Sequence, residues 1–174
     1  MCYRPQPLST RFLLGGYMPY QADSIANFFI EAGNRESQPV TNMKLQKLLY
    51  FAQGHHLSLR DQELISEDAE AWTYGPVYPD VYHWLKHLGS GPIKQCLKFP
   101  FGEKESSPWA APTEATDVEF LQAIWDFYRD KSAIWLSELS HVPGGPWATA
   151  FARGRNSAIS KEEMKRYFKA MSGG

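Results

Sequence analysis

The sequence predicts a mainly α fold of the α+β class, a compact bundle of about six helices with a small β-hairpin inserted after the second helix. Three observations carry this prediction. Apolar residues return at helical spacing in successive segments, several of them opened by a capping residue. One stretch after the second such segment loses that period and turns at Gly75-Pro76. The length of 174 residues fits one domain and leaves little for another.

Ile25, Phe28, Phe29 and Ala32 fall at i, i+3, i+4 and i+7, one face of a first helix over 22–32 that Gly33 and Asn34 stop. Thr41 is the N-cap of a second helix, in which Leu45, Leu48, Leu49, Ala52, His56 and Leu59 keep the spacing to about residue 60. This is the longest stripe in the chain and predicts the central helix. Over 63–79, Leu64-Ile65 and then 69–77 read as short extended pieces. Pro79-Asp80 opens a third helix with Val81, Trp84, Leu85 and Leu88 on one face, ended by Gly89. Residues 90–112 read as a loop with one strand within 93–99.

Thr116 and Glu119 have the spacing of a capping box opening a fourth helix, striped by Leu121, Ile124, Trp125 and Tyr128. Ser132 caps a fifth, carrying Trp135, Leu136 and Leu139 to the turn Pro143-Gly144-Gly145-Pro146. Pro146 opens a further helical turn with Trp147, Ala150 and Phe151. Ser160 and Glu163 form a second capping box, Ile159 and Met164 are spaced as a hydrophobic staple, and the last helix buries Met164, Phe168 and Met171. The domain is expected over 21–171, with 1–20 an N-terminal extension and Met18 an alternative start.

Composition narrows the function. Aromatic residues reach 14%, with six Trp, nine Tyr and ten Phe, enough rings both to pack a core and to present some to a partner. Net charge is −1, from 18 basic and 19 acidic side chains, which argues against nucleic acid as the main ligand. The N-terminal residues lack the pattern of a signal peptide, and no apolar run is long enough to span a membrane. Cys2 and Cys96 are too few for a disulfide framework and read as free thiols in a reducing compartment, so a cytoplasmic location is expected.

Three segments stand out together. The first is Thr41-Asn-Met-Lys-Leu-Gln-Lys-Leu-Leu-Tyr50 with Phe51-Ala-Gln-Gly54; the second is Ala71-Trp-Thr-Tyr-Gly-Pro-Val77 with Pro79 and Val81-Tyr82; the third is Leu136-Ser-Glu-Leu-Ser-His141 with Gly145-Pro-Trp147. In this order and spacing the chain resembles the SocA-like antitoxin domain, also called Panacea and earlier a phage-associated domain of unknown function, over about 22–168. The family commonly has Thr where this chain has Ser140, a change that keeps the hydroxyl. The resemblance implies a bacterial or phage protein that neutralises a cognate toxin by direct contact. One relative looks more like an adaptor handing its toxin to a cytoplasmic protease, and that alternative stays open, with Ser172-Gly173-Gly174 or residues 1–17 as the available tails.

Candidate partner-binding residues are Lys44, Lys47, Trp72, Tyr74, Gly75, Pro76, His141 and Trp147. Lys44 and Lys47 lie off the apolar stripe of the second helix, either as a solvated face or as a contact for an acidic or phosphate-bearing surface. Gly75 permits a turn and Pro76 bars it from the helical region. Trp72 and Tyr74 share one face of an extended segment, as rings capping the core or lining a groove for a partner. His83 and His87 are at i, i+4, but no HExxH or CxxC accompanies them, so no metal and no cofactor is expected and they are placed on a wet flank. His141 is read as anchoring the turn to Trp147 through the backbone. As a base it would need Ser140 held against it, which adjacent helical positions disfavour. No catalytic motif appears, and a non-enzymatic role is expected; a small hydrolase or transferase using His141 or His55-His56 is the remaining alternative.

Overall fold

The computed structural model describes residues 17–98 and 111–172. Its helices are α1 (Ala22–Arg35), α2 (Asn42–Arg60), α3 (Pro79–Leu85) continued by a 3-10 turn at Lys86–Leu88, α4 (Ala115–Tyr128), α5 (Ala133–Ser140), α6 (Pro146–Arg153) and α7 (Lys161–Ser172). Strands β1 (Glu70–Trp72), β2 (Gly75–Val77) and β3 (Ser157–Ala158) form an antiparallel sheet in the order β2-β1-β3. The α+β class and the hairpin after the second helix are as expected. The third strand, from the turn between α6 and α7, is an addition.

Helix α2 is the centre. Leu45, Leu48, Leu49, Tyr50, Phe51 and Ala52 are all buried, on every side of the helix, as befits one packed against α1, α4, α5, α7 and the sheet. Helix α7 comes closest at Gly54, where a Cβ would lie 2.2 Å from the ring of Phe168. The absent side chain lets Phe168 settle edge-on against Tyr50 and Phe51, at centroid distances of 5.7 and 6.1 Å.

A buried polar stripe on the same helix organises the segment that follows it. Asn42, Gln46, Gln53 and His56 share one face at roughly 3.6 residues per turn. Gln53 Oε1 accepts from the backbone N–H of Leu64 and Ile65, at 3.0 and 2.8 Å. Gln46 Oε1 accepts from Tyr78 N at 2.8 Å, Asn42 Nδ2 donates to Tyr82 O at 3.3 Å, and His56 Nδ1 is 2.7 Å from Gln62 O. Backbone groups that enter the core without a ladder partner are thereby satisfied by side chains.

Local capping follows the sequence in part. Thr41, Ser132 and Ser160 each accept from the backbone N–H three residues on, at 3.4, 3.1 and 3.3 Å. The capping box at Thr116 and Glu119 does not form: α4 begins two residues earlier than that box would set it, with Glu114 as N-cap and no side-chain cap bond. Helix α1 likewise runs through Gly33 to Arg35. Leu59 and Met171 are exposed in the last turns of α2 and α7, and Trp84 and Trp135 are also exposed, against the stripes that counted them as core.

Residues 90–98 hold no strand. Instead the side chain of Asn27 mimics one, donating from Nδ2 to Leu97 O at 3.0 Å and accepting from Leu97 N at 2.7 Å. The rest of the strand expected within 93–99, most of the loop after it, residues 1–16 of the extension and Cys2 lie outside the described residues. Tyr20, in the same extension, joins the fold, donating from N to Leu64 O at 2.7 Å and accepting from Ser66 N at 2.8 Å. Cys96 is disulfide-bonded, which corrects the free thiol expected there. Among the described residues no helix is long and apolar enough to cross a membrane.

Candidate partner-binding face at the hairpin tip

The hairpin pairs Trp72 with Gly75, so its turn is Thr73-Tyr74 rather than Gly75-Pro76 as the sequence suggested. Gly75 is required twice over. Its φ of 103° lies where L side chains are strained, and a Cβ there would stand 2.5 Å from Lys47 Nζ and 2.9 Å from Ser140 Oγ. Pro76 lies on the edge strand of the sheet, a place where proline's missing N–H is tolerated.

The turn is clamped by side chains from three helices. Trp147 Nε1 on α6 donates to Trp72 O at 3.0 Å, Ser137 Oγ on α5 donates to Tyr74 O at 3.0 Å, and Lys47 Nζ on α2 donates to Pro76 O at 3.0 Å. With its alternate carbonyls held, the hairpin presents the ring of Tyr74 outward, 77% exposed. Clefts of about 630 and 540 Å³ flank it and share Met43 and Tyr74 as lining residues. The larger is walled by Trp72, Tyr82 and Lys86; the smaller by Ile134, Ser137, Glu138 and His141. Met43 and Ile134 are themselves exposed, which makes a continuous apolar surface with Tyr74.

Lys47 is buried, only 1% exposed, and lies at the floor of the larger cleft. Burial pushes its ammonium down to about 7. Lys44 is half-buried, hydrogen-bonded to the carbonyl of Arg129 at the C-terminus of α4, with Nζ 5.8 Å from the centre of the Trp125 ring. Neither lysine forms the solvated face considered from sequence: the segment 69–77 and α4 cover them.

Trp72 is half-buried, its ring edge-on to Tyr82 at 4.9 Å and its Nε1 donating to Glu70 Oε2 at 2.7 Å. Trp72 and Tyr74 therefore do not share a strand face, because Tyr74 belongs to the turn. Trp147 is buried against His141 and Phe151, at 3.8 and 4.8 Å between ring centres, and reaches the face only through the hairpin it holds. Of the residues singled out from sequence, Lys47, Trp72, Tyr74, Gly75, Pro76, His141 and Trp147 converge here, and Lys44 is turned toward α4. Met43, Ile134, Ser137 and Tyr82 were missed. Met43 and Ile134 had a signal, being apolar residues off their helices' stripes.

The chemistry at His141 is that of a brace. His141 ends α5 as its C-cap, and this non-helical position brings Nδ1 to 3.4 Å from Ser140 Oγ, closer than helical neighbours would stand. Yet Nδ1 also meets the carbonyl of Ser137, which only accepts, so that nitrogen carries the proton; Ser140 Oγ spends its own on Ser137 O at 2.7 Å. His141 Nδ1 is therefore not placed to take a proton from that hydroxyl. The other histidines do not gather around it. His55 is 3.0 Å from the Tyr128 hydroxyl, and His83 and His87 are exposed on the flank expected for them. His56 lies 3.9 Å from Asp117, which accepts from Arg60 and from the Tyr20 hydroxyl at 2.5 and 2.9 Å. Burial raises the Asp117 carboxyl, but the bonds from His56, Tyr20 and Arg60 outweigh it and leave it below its ordinary value.

Comparison with known proteins agrees with this arrangement of motifs. The family model "Antitoxin SocA-like, Panacea domain" matches residues 45–148, which include the core of α2, the whole hairpin and the α5–α6 turn. The curated protein Antitoxin SocA of Caulobacter vibrioides (strain NA1000 / CB15N) is 31% identical over 129 residues, covering 72% of this chain and 68% of that protein. No solved structure matches the chain. The chain belongs to the SocA-like antitoxin family.

Proposed function

We propose that this chain neutralises a cognate toxin protein by direct, non-catalytic contact, and that the hairpin-tip face is the surface that recognises it. The family supports an antitoxin role and, in general, a toxin as partner. The observation that carries the finer reading is Tyr74, a large ring 77% exposed on a turn whose neighbouring carbonyls are fastened to three helices. A ring held ready in this way loses little conformational freedom on binding, which is why rigid aromatic anchors dominate interface energetics. Met43 and Ile134 extend the apolar area around it, and Glu138 and Lys86 supply charged margins.

The test is co-expression with the product of the adjacent reading frame, scored by growth rescue and by co-elution on size exclusion. Tyr74→Asp and Ile134→Asp are exposed substitutions and should leave the circular dichroism spectrum and Tm close to the parent. Each is expected to weaken the complex by about tenfold or more, the range of a hot-spot loss, and to abolish rescue. Undiminished rescue by the double variant would overturn the assignment of this face. Partner half-life, measured with and without the chain, is expected to be unchanged; shortening would favour delivery to a protease.

A further inference from the structure

We infer that the cationic cleft between the α3 turn and residues 92–98 docks an acidic segment of a partner polypeptide, whose carboxylates meet Lys94 and Lys98 while an apolar side chain lies against Trp84. This surface is separate from the hairpin tip and does not depend on the toxin being recognised there.

Local structure builds the cleft. Helix α3 tightens into the 3-10 turn Lys86–Leu88, and Gly89, with φ 56°, ends it. The chain then runs on to Leu97 and is fastened twice. Ile93 N donates to Val40 O at 2.8 Å, and Asn27 holds both backbone groups of Leu97. Ile93 and Leu97 are buried, while Lys94, Gln95 and Lys98 stay exposed. The space between this strip and the turn is about 530 Å³, and Trp84, His87, Leu88, Ile93, Lys94 and Lys98 are among the residues lining it. A wall pinned at two points keeps its shape, so little order has to be imposed when a ligand enters.

Charge selects the occupant. The chain as a whole carries −1, yet no Asp or Glu lines this cleft. Elsewhere most of the described lysines are engaged: Lys161 and Lys165 pair with carboxylates, Lys44 and Lys47 donate to carbonyls, and Lys131 lies over the Trp135 ring. Among the described residues, Lys94 and Lys98 have no such contact, nor has Lys86 on the neighbouring cleft. Like charges without counter-ions on one surface attract an anionic ligand and steer its approach. Ammonium groups on flexible stems suit carboxylates spaced along a chain; phosphate recognition favours the bidentate fork of arginine, and no Arg lines the cleft. With the whole chain slightly acidic, a nucleic-acid backbone is also a poor match. Trp84 is 42% exposed and lines the same cleft as Leu88, which calls for an apolar side chain beside the acidic ones.

The full chain is titrated with acetyl-Glu-Asp-Leu-Glu-Asp amide, its neutral counterpart acetyl-Gln-Asn-Leu-Gln-Asn amide, and a short oligothymidylate, following backbone amide NMR shifts and Trp fluorescence. The acidic peptide is expected to shift residues 84–98 and to bind about tenfold or more tightly than the neutral one at low salt. Its affinity should fall as NaCl rises from about 50 to about 300 mM, because salt screens exposed charges. Lys94→Glu/Lys98→Glu should erase the preference. The control Arg166→Glu/Lys169→Glu makes the same change in net charge on α7 and should keep it. These positions are all exposed, so both variants are expected to retain the parent circular dichroism spectrum; should one not, the peptide pair on the unaltered chain is decisive by itself. Equal binding of the two peptides, no binding of the acidic one up to about 10 mM, shifts that map elsewhere, or equal losses in both variants would overturn the site. Tighter binding of the oligothymidylate would overturn it in favour of nucleic acid. Binding of the acidic peptide only after Glu103→Gln/Glu105→Gln would make the chain's own 99–110 segment the occupant, and would overturn partner docking.

Discussion

Burial shifts two ionisable side chains, Lys47 and Asp23, toward their uncharged forms, and each leaves a signature in the pH dependence of stability. Burial, then the charges of Glu67 and Asp80, push Asp23 up to about 7. Between its ordinary value of 3.8 and about 7 the folded state binds more protons than the unfolded, so this contribution falls as pH rises through that window. Lys47 works in the other direction. Depressed from 10.5 to about 7, it leaves the unfolded state holding more protons between those values, so stability rises with pH across them. Urea unfolding at intervals from pH 4 to 10 should show each slope, at most about 1.4 kcal/mol per pH unit for one group. Asp23→Asn should remove the lower slope and Lys47→Met the upper. A variant that keeps its parent's slope would show that the buried group does not carry it.

At the scale of the element, the 62–82 segment is organised less by its own sheet than by the polar face of α2. Gln53 supplies one oxygen to two consecutive backbone donors, Leu64 N and Ile65 N. Gln53→Leu keeps the volume and strands both N–H groups in the core, a change expected to cost about 2–4 kcal/mol from unmet hydrogen bonds. Gln53→Glu should cost less, because the acceptor survives. The measurement is the chemical denaturation midpoint of each, and equal losses would mean that the amide is not the hinge of this segment. The hairpin follows the same logic from three sides, held through the carbonyls of Trp72, Tyr74 and Pro76. Its pairing spans only Glu70–Trp72 against Gly75–Val77, too short to be stable without such support.

Across the whole molecule, the α2–α7 contact closes the bundle. Gly54→Ala would place a methyl within 2.2–2.5 Å of the Phe168 ring and force α7 outward, at about 1–3 kcal/mol or more for overpacking. A lower Tm is expected, with partial recovery in the Gly54→Ala/Phe168→Leu pair, where the smaller side chain yields space. Additive losses in that pair would place the effect elsewhere. The proposed recognition face lies on α2, α5 and the hairpin, so under that proposal a weakened bundle would reduce rescue by lowering abundance while leaving contacts intact. Comparing Gly54→Ala with Tyr74→Asp separates the two: the first should lose stability, the second affinity.

The sequence by itself determined the class, the central helix, the place of the hairpin and the family. These follow from local rules: the stripe Leu45, Leu48, Leu49 and Ala52, the caps Thr41, Ser132 and Ser160, and motifs in a fixed order. Most of the positions chosen from sequence for partner binding lie around the turn. What tertiary structure alone decided is the role of each. Lys47 reads as a surface residue because lysine in a helix is ordinarily solvated, and only the hairpin folding over α2 buries it. Trp147, chosen from sequence as a contact residue, is buried and donates to the carbonyl of Trp72, while Met43 and Ile134, off-stripe and easily passed over, flank the exposed ring. Strand β3 has two residues and no pattern of its own, so its pairing with β1 exists only once α6 and α7 have brought it there. Periodicity reports which side of an element is apolar; what that side meets depends on neighbours distant in the chain.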